Sequence, residues 1–253
     1  MNVLLISNMY PSAQKPYAGI FVKNQFEELQ QRMEAGESVS IHYMLRTFTG
    51  PIGSMWKYFV TFFKFIPHYF KSYEVIHLHY FYPLIICAWI YKLLHPKTKV
   101  ICTFHGTDVT TQLSGGLNQK VFYYLSQCID LGIPVGKMMQ DEVNKKLAPI
   151  PTTVLCAGVN HHFFYPPKQT ILRSDKVFDF TWVGTFEHRK GLDLYVKAIR
   201  KLDHKDLKFC FIGSGPLEHL LDELKHEFDL TIINDLNQNQ ILDVPSILAG
   251  EST

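Results

Sequence analysis

Short β-branched and aromatic runs alternate with longer stretches of helical spacing along this chain, and that alternation narrows its possible folds more than any other feature. Asn2–Ser7, Val39–Tyr43, Val75–Leu78, Val100–Phe104, Leu131–Val135 and Thr153–Leu155 read as strands, apolar on both faces. Between them Ile20–Met33, Trp56–Tyr69, Leu84–Leu94, Leu117–Ser126 and Lys137–Leu147 have helical length and spacing. Doubly apolar strands joined by helices predict a parallel sheet covered on both sides. The stretch from Tyr165-Pro-Pro to Lys176 reads as a linker. A second series follows: strand Phe178–Val183, helix Leu192–Leu202, strand Leu207–Ile212, helix Leu217–Phe228 and strand Leu230–Ile233. Two α/β domains are therefore expected, over residues 1–165 and 174–253. The second has few elements for a doubly wound domain and is expected to be incomplete. Phe209, Phe211 and Ile232 would then lie uncovered beside an open sheet edge.

Composition excludes several classes. With 47% hydrophobic and 19% charged residues the chain can bury a core and is not disordered. Its net charge of +2 provides no concentrated basic surface, so a nucleic-acid partner is not expected. Cys87, Cys102, Cys128, Cys156 and Cys210 form no CxxC pair. They read as reduced thiols packed as small hydrophobes, which fits a cytoplasmic location. The start, MNVLLISNMYP, lacks the pattern of a signal peptide. The longest apolar run, Tyr80 to Tyr91, is broken by Pro83 and falls short of the ~20 residues that span a bilayer.

In an open parallel sheet, ligands bind at the carboxyl ends of the strands, so the residues after each strand are the candidates. After the first strand, Gly19 opens a helix, where backbone N–H groups can approach a phosphate; a plain turn glycine is the alternative. No GxGxxG is present, which argues against a dinucleotide site. After the fourth strand come His105, Gly106 and Asp108, able to hydrogen-bond a sugar hydroxyl or a developing charge; a structural cap is the alternative. Gly184, Thr185, Arg189 and Lys190 follow Val183 and bring two cations to the start of a helix, an anion site or else a solvated basic turn. Gly213 and Gly215, with Pro216 at the next helix entry, make a turn suited to a close-packed ligand.

Five segments taken together carry a resemblance: YPSAQKPYAGIFVKNQ, TFHGTD, CAGVNHHFFYPP, VGTFEHRKGLDLYVKAI and FIGSGPLEHLL. In this order and spacing the chain resembles the retaining glycosyltransferases of family 4, which have the GT-B fold of two Rossmann-like lobes. The resemblance implies that Gly19 lies near the donor phosphates and the acceptor. It implies that His105 contacts the transferred sugar, with Asp108 in the same motif, and that Lys190 grips the donor diphosphate. Thr185 stands where the family has an Arg, and Arg189 would supply part of that charge. Gly213 and Gly215 would border the nucleotide. Glu251, after Pro245-Ser246, matches the first of a glutamate pair that holds the donor sugar, and the chain ends at Thr253 before the second. The resemblance implies transfer from a UDP- or GDP-linked sugar to a glycan or lipid-linked acceptor, in cell-surface polysaccharide synthesis. It calls for no cofactor and no metal, the nucleotide sugar being the substrate, and no DxD pair is present. A sugar-nucleotide epimerase of the same fold and a non-catalytic remnant with weak nucleotide binding are the other readings, the latter because the donor site is expected to be incomplete.

Residues 55–71, from Met55 to Lys71, are aromatic and basic with no acid. As a helix they would set Lys57, Lys64, His68 and Lys71 on one side. That suits peripheral contact with the inner face of a membrane, or else an ordinary helix covering the sheet with its lysines solvated.

Overall fold

A computed structural model describes residues 1–13, 18–44, 50–106, 109, 116–158 and 177–234. It divides into two compact units, Met1–Gly158 and Val159–Thr253. The linker reading at Tyr165–Lys176, together with Asp108 and Glu251, lies outside the described residues.

The first unit alternates strand and helix in chain order: β1 (Asn2–Ser7), α1 (Ile20–Arg32), β2 (Ser38–Tyr43), α2 (Gly50–Phe65), β3 (Val75–His79), α3 (Ile85–Leu94), β4 (Lys99–Phe104), α4 (Gly116–Ser126), β5 (Leu131–Pro134) and α5 (Lys137–Lys146). The sheet order is β2-β1-β3-β4-β5, with every pairing parallel. Because β1 pairs with both β2 and β3, the connections diverge at β1 and open a crevice between the ends of β1 and β3. In register, Ser7 at the end of β1 stands beside Tyr43 of β2 and His79 of β3, and His79 stands beside Thr103 of β4.

Burial on both faces holds this sheet. Leu4, Leu5, Ile6, Ile76, Leu78, Val100, Cys102 and Phe104 are all inaccessible, and each large apolar side chain so buried contributes about 1.5–3 kcal/mol. On α3, Tyr91 is buried with its hydroxyl satisfied: it accepts from the Tyr73 amide at 2.8 Å and donates to the Lys71 carbonyl at 2.7 Å. Asp130, ahead of β5, accepts from the Val100 amide and from Lys92 Nζ, each at 2.8 Å, which ties β4 to α3 and β5.

Two expected elements differ. The helix expected over Trp56–Tyr69 starts earlier, at Gly50, and changes at Phe65 to a 3₁₀ turn over Ile66–Phe70. Pro67 lacks the N–H an α-helix needs and its ring clashes with the preceding turn. The strand expected at Thr153–Leu155 is an extended segment joined to β5 by a single bridge, Gly132 with Thr152. Its amides still bond β5, from Thr153 to the Gly132 carbonyl and from Leu155 to that of Pro134.

The second unit contains β6 (Phe180–Val183), α6 (Leu192–Arg200), β7 (Lys208–Ile212), α7 (Glu218–Leu224) and β8 (Asp229–Ile233), with a 3₁₀ turn at His188–Lys190. Its sheet order is β6-β7-β8, again parallel. Leu192, Val196 and Ile199 recur at helical spacing and seat α6 on the sheet beside Leu221 and Leu224 of α7. That packing covers residues expected to be open: Phe209 and Phe211 are buried in this cluster, and Ile232 packs against it. The two helices suffice because both turn their apolar stripes to one sheet face. Among the described residues the other face buries Cys210 and Ile212, with Phe178 and Ile233 against them.

Candidate functional site

At the carboxyl edge of the first sheet the chain gathers neutral hydrogen-bonding groups. His77 and His79 are two apart on β3 and share a face, stacked at 4.6 Å between centroids. His105, just past β4, approaches His79 with its Nε2 3.2 Å from His79 Nδ1. Phe21 of α1 and Tyr80 each pack on the His105 ring at 4.6 Å. Gln25 Nε2 lies 3.5 Å from His77 Nδ1, which leaves His77 Nε2 to donate to Thr103 Oγ1 at 2.8 Å. Burial pushes the His77 and His105 imidazoles down to about 4. Burial, with His77 and His105 beside it, pushes His79 well below the ordinary range. At neutral pH the three rings are uncharged, so His105 presents a neutral hydrogen-bonding ring at this edge rather than a positive charge. Among the described residues no three side chains are grouped to hold a metal ion.

The tautomer at His79 follows from what its second nitrogen lacks. His79 Nε2 is buried with no hydrogen-bond partner among the described residues. An orphaned buried N–H costs more than an orphaned lone pair. The proton therefore sits on Nδ1 and is donated to His105 Nε2, and His105 carries its own proton on Nδ1.

Asn8 completes this edge. Its Nδ2 donates to the Tyr82 carbonyl, joining the loops after β1 and β3, while its buried Oδ1 has no partner among the described residues. Tyr80, the first residue after β3, holds φ at 71° although it has a side chain. Such strain is retained where the surroundings fix it, and it concentrates at binding sites. Sequence reasoning missed Asn8, His77, His79 and Tyr80. The signal was present as alternate histidines running into aromatics and Pro83 at a strand's carboxyl end. Gly19 is needed for a close approach: with φ at 71°, a Cβ there would fall 2.6 Å from the Met9 carbonyl oxygen. Its own carbonyl accepts from the Val22 and Lys23 amides and starts α1.

The second sheet's carboxyl edge is cationic. The loops after β6 and β7 are zipped together by bonds from the Gly184 amide to the Ile212 carbonyl and from the Phe186 amide to the Ser214 carbonyl, both 3.0 Å. A Cβ on Gly213 would lie 2.0 Å from the Gly184 oxygen, and one on Gly215 2.6 Å from the Phe186 oxygen. These glycines therefore serve loop-to-loop contact, and the Gly184 and Gly213 amides are spent on the neighbouring strands. Thr185 is exposed beside them.

Of the cations, Arg189 lies 3.7 Å from Glu187, and His188 lies 3.3 Å from Asp193 in the first turn of α6. Asp193 offsets the positive end of that helix. Lys190 is exposed, and among the described residues its ammonium has no acidic partner. Attraction for an anion at this edge thus rests on Lys190, with Arg189 half committed to Glu187.

Two parallel α/β units, each with polar groups after its strands, are what the GT-B fold is built from, and the solved structures that the chain resembles have that fold. Among solved structures, Anabaena HepE in complex with UDP and glucose is similar at a TM-score of 0.64 and 12% identity, over 99% of this chain and 72% of that one. A lipopolysaccharide outer core galactosyltransferase, WaaB, is similar at 0.59 and 9%, over 99% and 72%. The UDP-GlcNAc 2-epimerase of Methanocaldococcus jannaschii is similar at 0.52 and 11%, over 96% and 76%, so this likeness shows the fold alone. The family is given by sequence: Glycosyltransferase Family 4 matches residues 25–163, more than half of the chain, and the chain belongs to that family. An uncharacterized glycosyltransferase of Methanocaldococcus jannaschii is 25% identical over 69% of this chain and 46% of its own length. N-acetyl-alpha-D-glucosaminyl L-malate synthase of Bacillus anthracis is 24% identical over 58% of this chain and 40% of its own. The chain thus spans less than half the length of these curated relatives.

Proposed function

We propose that this polypeptide serves transfer of a sugar from a UDP- or GDP-linked donor to a glycan or lipid-linked acceptor, with retention at the anomeric carbon, in cell-surface polysaccharide synthesis. The observation that carries the reading is the contrast between the two carboxyl edges. One presents the half-buried, uncharged His105, hydrogen-bonded to His79 behind it. The other offers the exposed Lys190, without an acidic partner among the described residues, with Arg189 beside it. A sugar needs the first kind of surface and a diphosphate the second.

In this reading Lys190 and Arg189 neutralise the departing nucleoside diphosphate, a task that otherwise falls to a metal ion. His105, set by the proton His79 gives it, hydrogen-bonds a hydroxyl of the transferred sugar, and Asp108 and Glu251 would complete the sugar's contacts. Retention in this reading proceeds by front-side attack within an ion pair.

Titration of the chain with UDP and GDP, followed by a transfer assay with labelled nucleotide sugar, tests this. Lys190→Ala is expected to cost on the order of 2–4 kcal/mol in kcat/KM, the scale of losing a charge-stabilising donor. Unchanged turnover in that variant would remove Lys190 from the role. Conversion of the donor to its epimer, with no glycoside formed, would assign the epimerase class instead.

A further inference from the structure

The α2 segment separates into three faces that its sequence alone left unresolved. At about 100° per residue, one face turns Thr61 and Phe65 into the core, and both are buried. His68 joins them rather than the lysines: its Nδ1 lies 2.8 Å from the Tyr73 hydroxyl and its ring meets that of His42. A second face leaves Met55, Trp56, Phe59 and Phe63 in solvent, continued by Ile66 and Phe70 of the 3₁₀ turn. Phe59 is 59% exposed, Phe63 64% and Phe70 85%, in a fold that buries its other phenylalanines on β4 and β7 completely or nearly so. These rings are ordered on one another, Trp56 on Phe59 at 5.3 Å and Phe59 on Phe63 at 6.2 Å. Between the apolar face and the core side run Lys57 and Lys64, and the exposed Lys71 follows the 3₁₀ turn on extended backbone.

We propose that this face of α2 docks the protein on an anionic lipid surface, with the aromatic stripe in the interfacial layer and the three lysines at the headgroups. Contiguous exposed apolar surface on a soluble unit marks an interaction site. Aromatic side chains with flanking lysines match the polarity gradient of a bilayer interface, where long lysine stems reach back to the phosphates. Charge selects among occupants. No acidic residue lies between Glu37 and Glu74, whereas Arg46, Lys57, Lys64 and Lys71 all do. The three lysines alone exceed the chain's net charge of +2: without them 22 Lys and Arg remain against 23 Asp and Glu, so the rest of the chain is slightly acidic. A second copy meeting this face across a two-fold axis would set like charges opposite each other. An anionic lipid surface meets both the stripe and the lysines.

Co-sedimentation of the 253-residue chain with vesicles of phosphatidylcholine, with and without phosphatidylserine, tests the proposal. Binding is expected only with phosphatidylserine, and should weaken as salt is raised. Each lysine at such a surface strengthens binding about fivefold, so the triple variant Lys57→Gln, Lys64→Gln, Lys71→Gln should lose on the order of 100-fold. The pair Phe59→Ser, Phe63→Ser should lose at least about tenfold. All five positions are on the surface or at its margin, so far-ultraviolet circular dichroism should be unchanged in both variants. No binding of the parent chain to phosphatidylserine vesicles at low salt overturns the proposal. So does equal binding to neutral vesicles. A dimer in sedimentation velocity that the Phe59→Ser, Phe63→Ser pair dissolves would assign the face to a second copy and overturn it as well.

Discussion

Acidification from pH 7 to about 5 should destabilise the first unit steeply, because that unit buries histidines in their neutral form. His42, His77 and His105 are each held at about 4 against an ordinary value of 6.5. Burial is the main cause in all three. His68 and Lys64 add repulsion at His42, against a backbone hydrogen bond that acts the other way, and His105 adds repulsion at His77. A depressed histidine pKa means that the unfolded chain binds more protons than the folded one between about 4 and 6.5. Stability is therefore complete above 6.5 and falls as pH drops through that window. At about pH 5 an unfolded histidine is almost fully protonated and a folded one almost wholly neutral, which removes about 2 kcal/mol per residue. The three together remove about 6 kcal/mol, a large share of the 5–15 kcal/mol that stabilises an ordinary domain. Urea unfolding followed by circular dichroism at a series of pH values measures this directly. His77→Gln keeps a donor for Thr103 and deletes one titration, so its slope should be shallower by about 1 kcal/mol per pH unit. A stability that changes by less than about 1 kcal/mol between pH 7 and 5 would refute the reasoning, since it would mean that these rings are hydrated or already charged in the folded state.

Gly213→Ala should destabilise the second unit by about 3 kcal/mol or more, because its Cβ would meet the Gly184 oxygen at 2.0 Å on a backbone with φ at 144°. Gly136→Ala, whose Cβ meets open space on extended backbone at the N-cap of α5, should cost no more than about 1 kcal/mol. Calorimetry of both variants checks the contrast, and equal melting temperatures would show that the zipped loops carry no strain. Asp130→Asn should cost about 1–3 kcal/mol in chemical unfolding, since it leaves Lys92, mostly buried, without its counter-charge. Burial alone would raise the Asp130 carboxyl, but hydrogen bonds from Lys92 and the Val100 amide, with the charges of Lys92 and Lys99, hold it below the usual range. Its contribution is accordingly present at neutral pH and lost only as pH falls through and below the ordinary carboxylate value, well below the histidine window.

The chain's alternation of doubly apolar runs with helical spacing was enough to determine two parallel α/β units. Periodicity and burial are local properties that a strand or helix carries in its own residues. The cations after β6 and the histidine after β4 were legible for the same reason, since ligand groups in such a sheet follow strand ends. What the sequence could not rank was which of these groups is free. Arg189 meets Glu187 and His188 meets Asp193 only because the 3₁₀ turn folds them together, leaving Lys190 without an acidic partner among the described residues. His77 and His79 were invisible as a site because they lie inside a strand. Their partners, Gln25, Thr103 and His105, come from three other segments that only the β1-β3-β4 pairing brings together. Likewise, Phe209 and Phe211 were expected to be uncovered by counting elements, and the tertiary structure turned both available helices onto their face. Long-range pairing decides these points because a side chain's partner, and hence its charge and hydration, is set by residues distant in sequence.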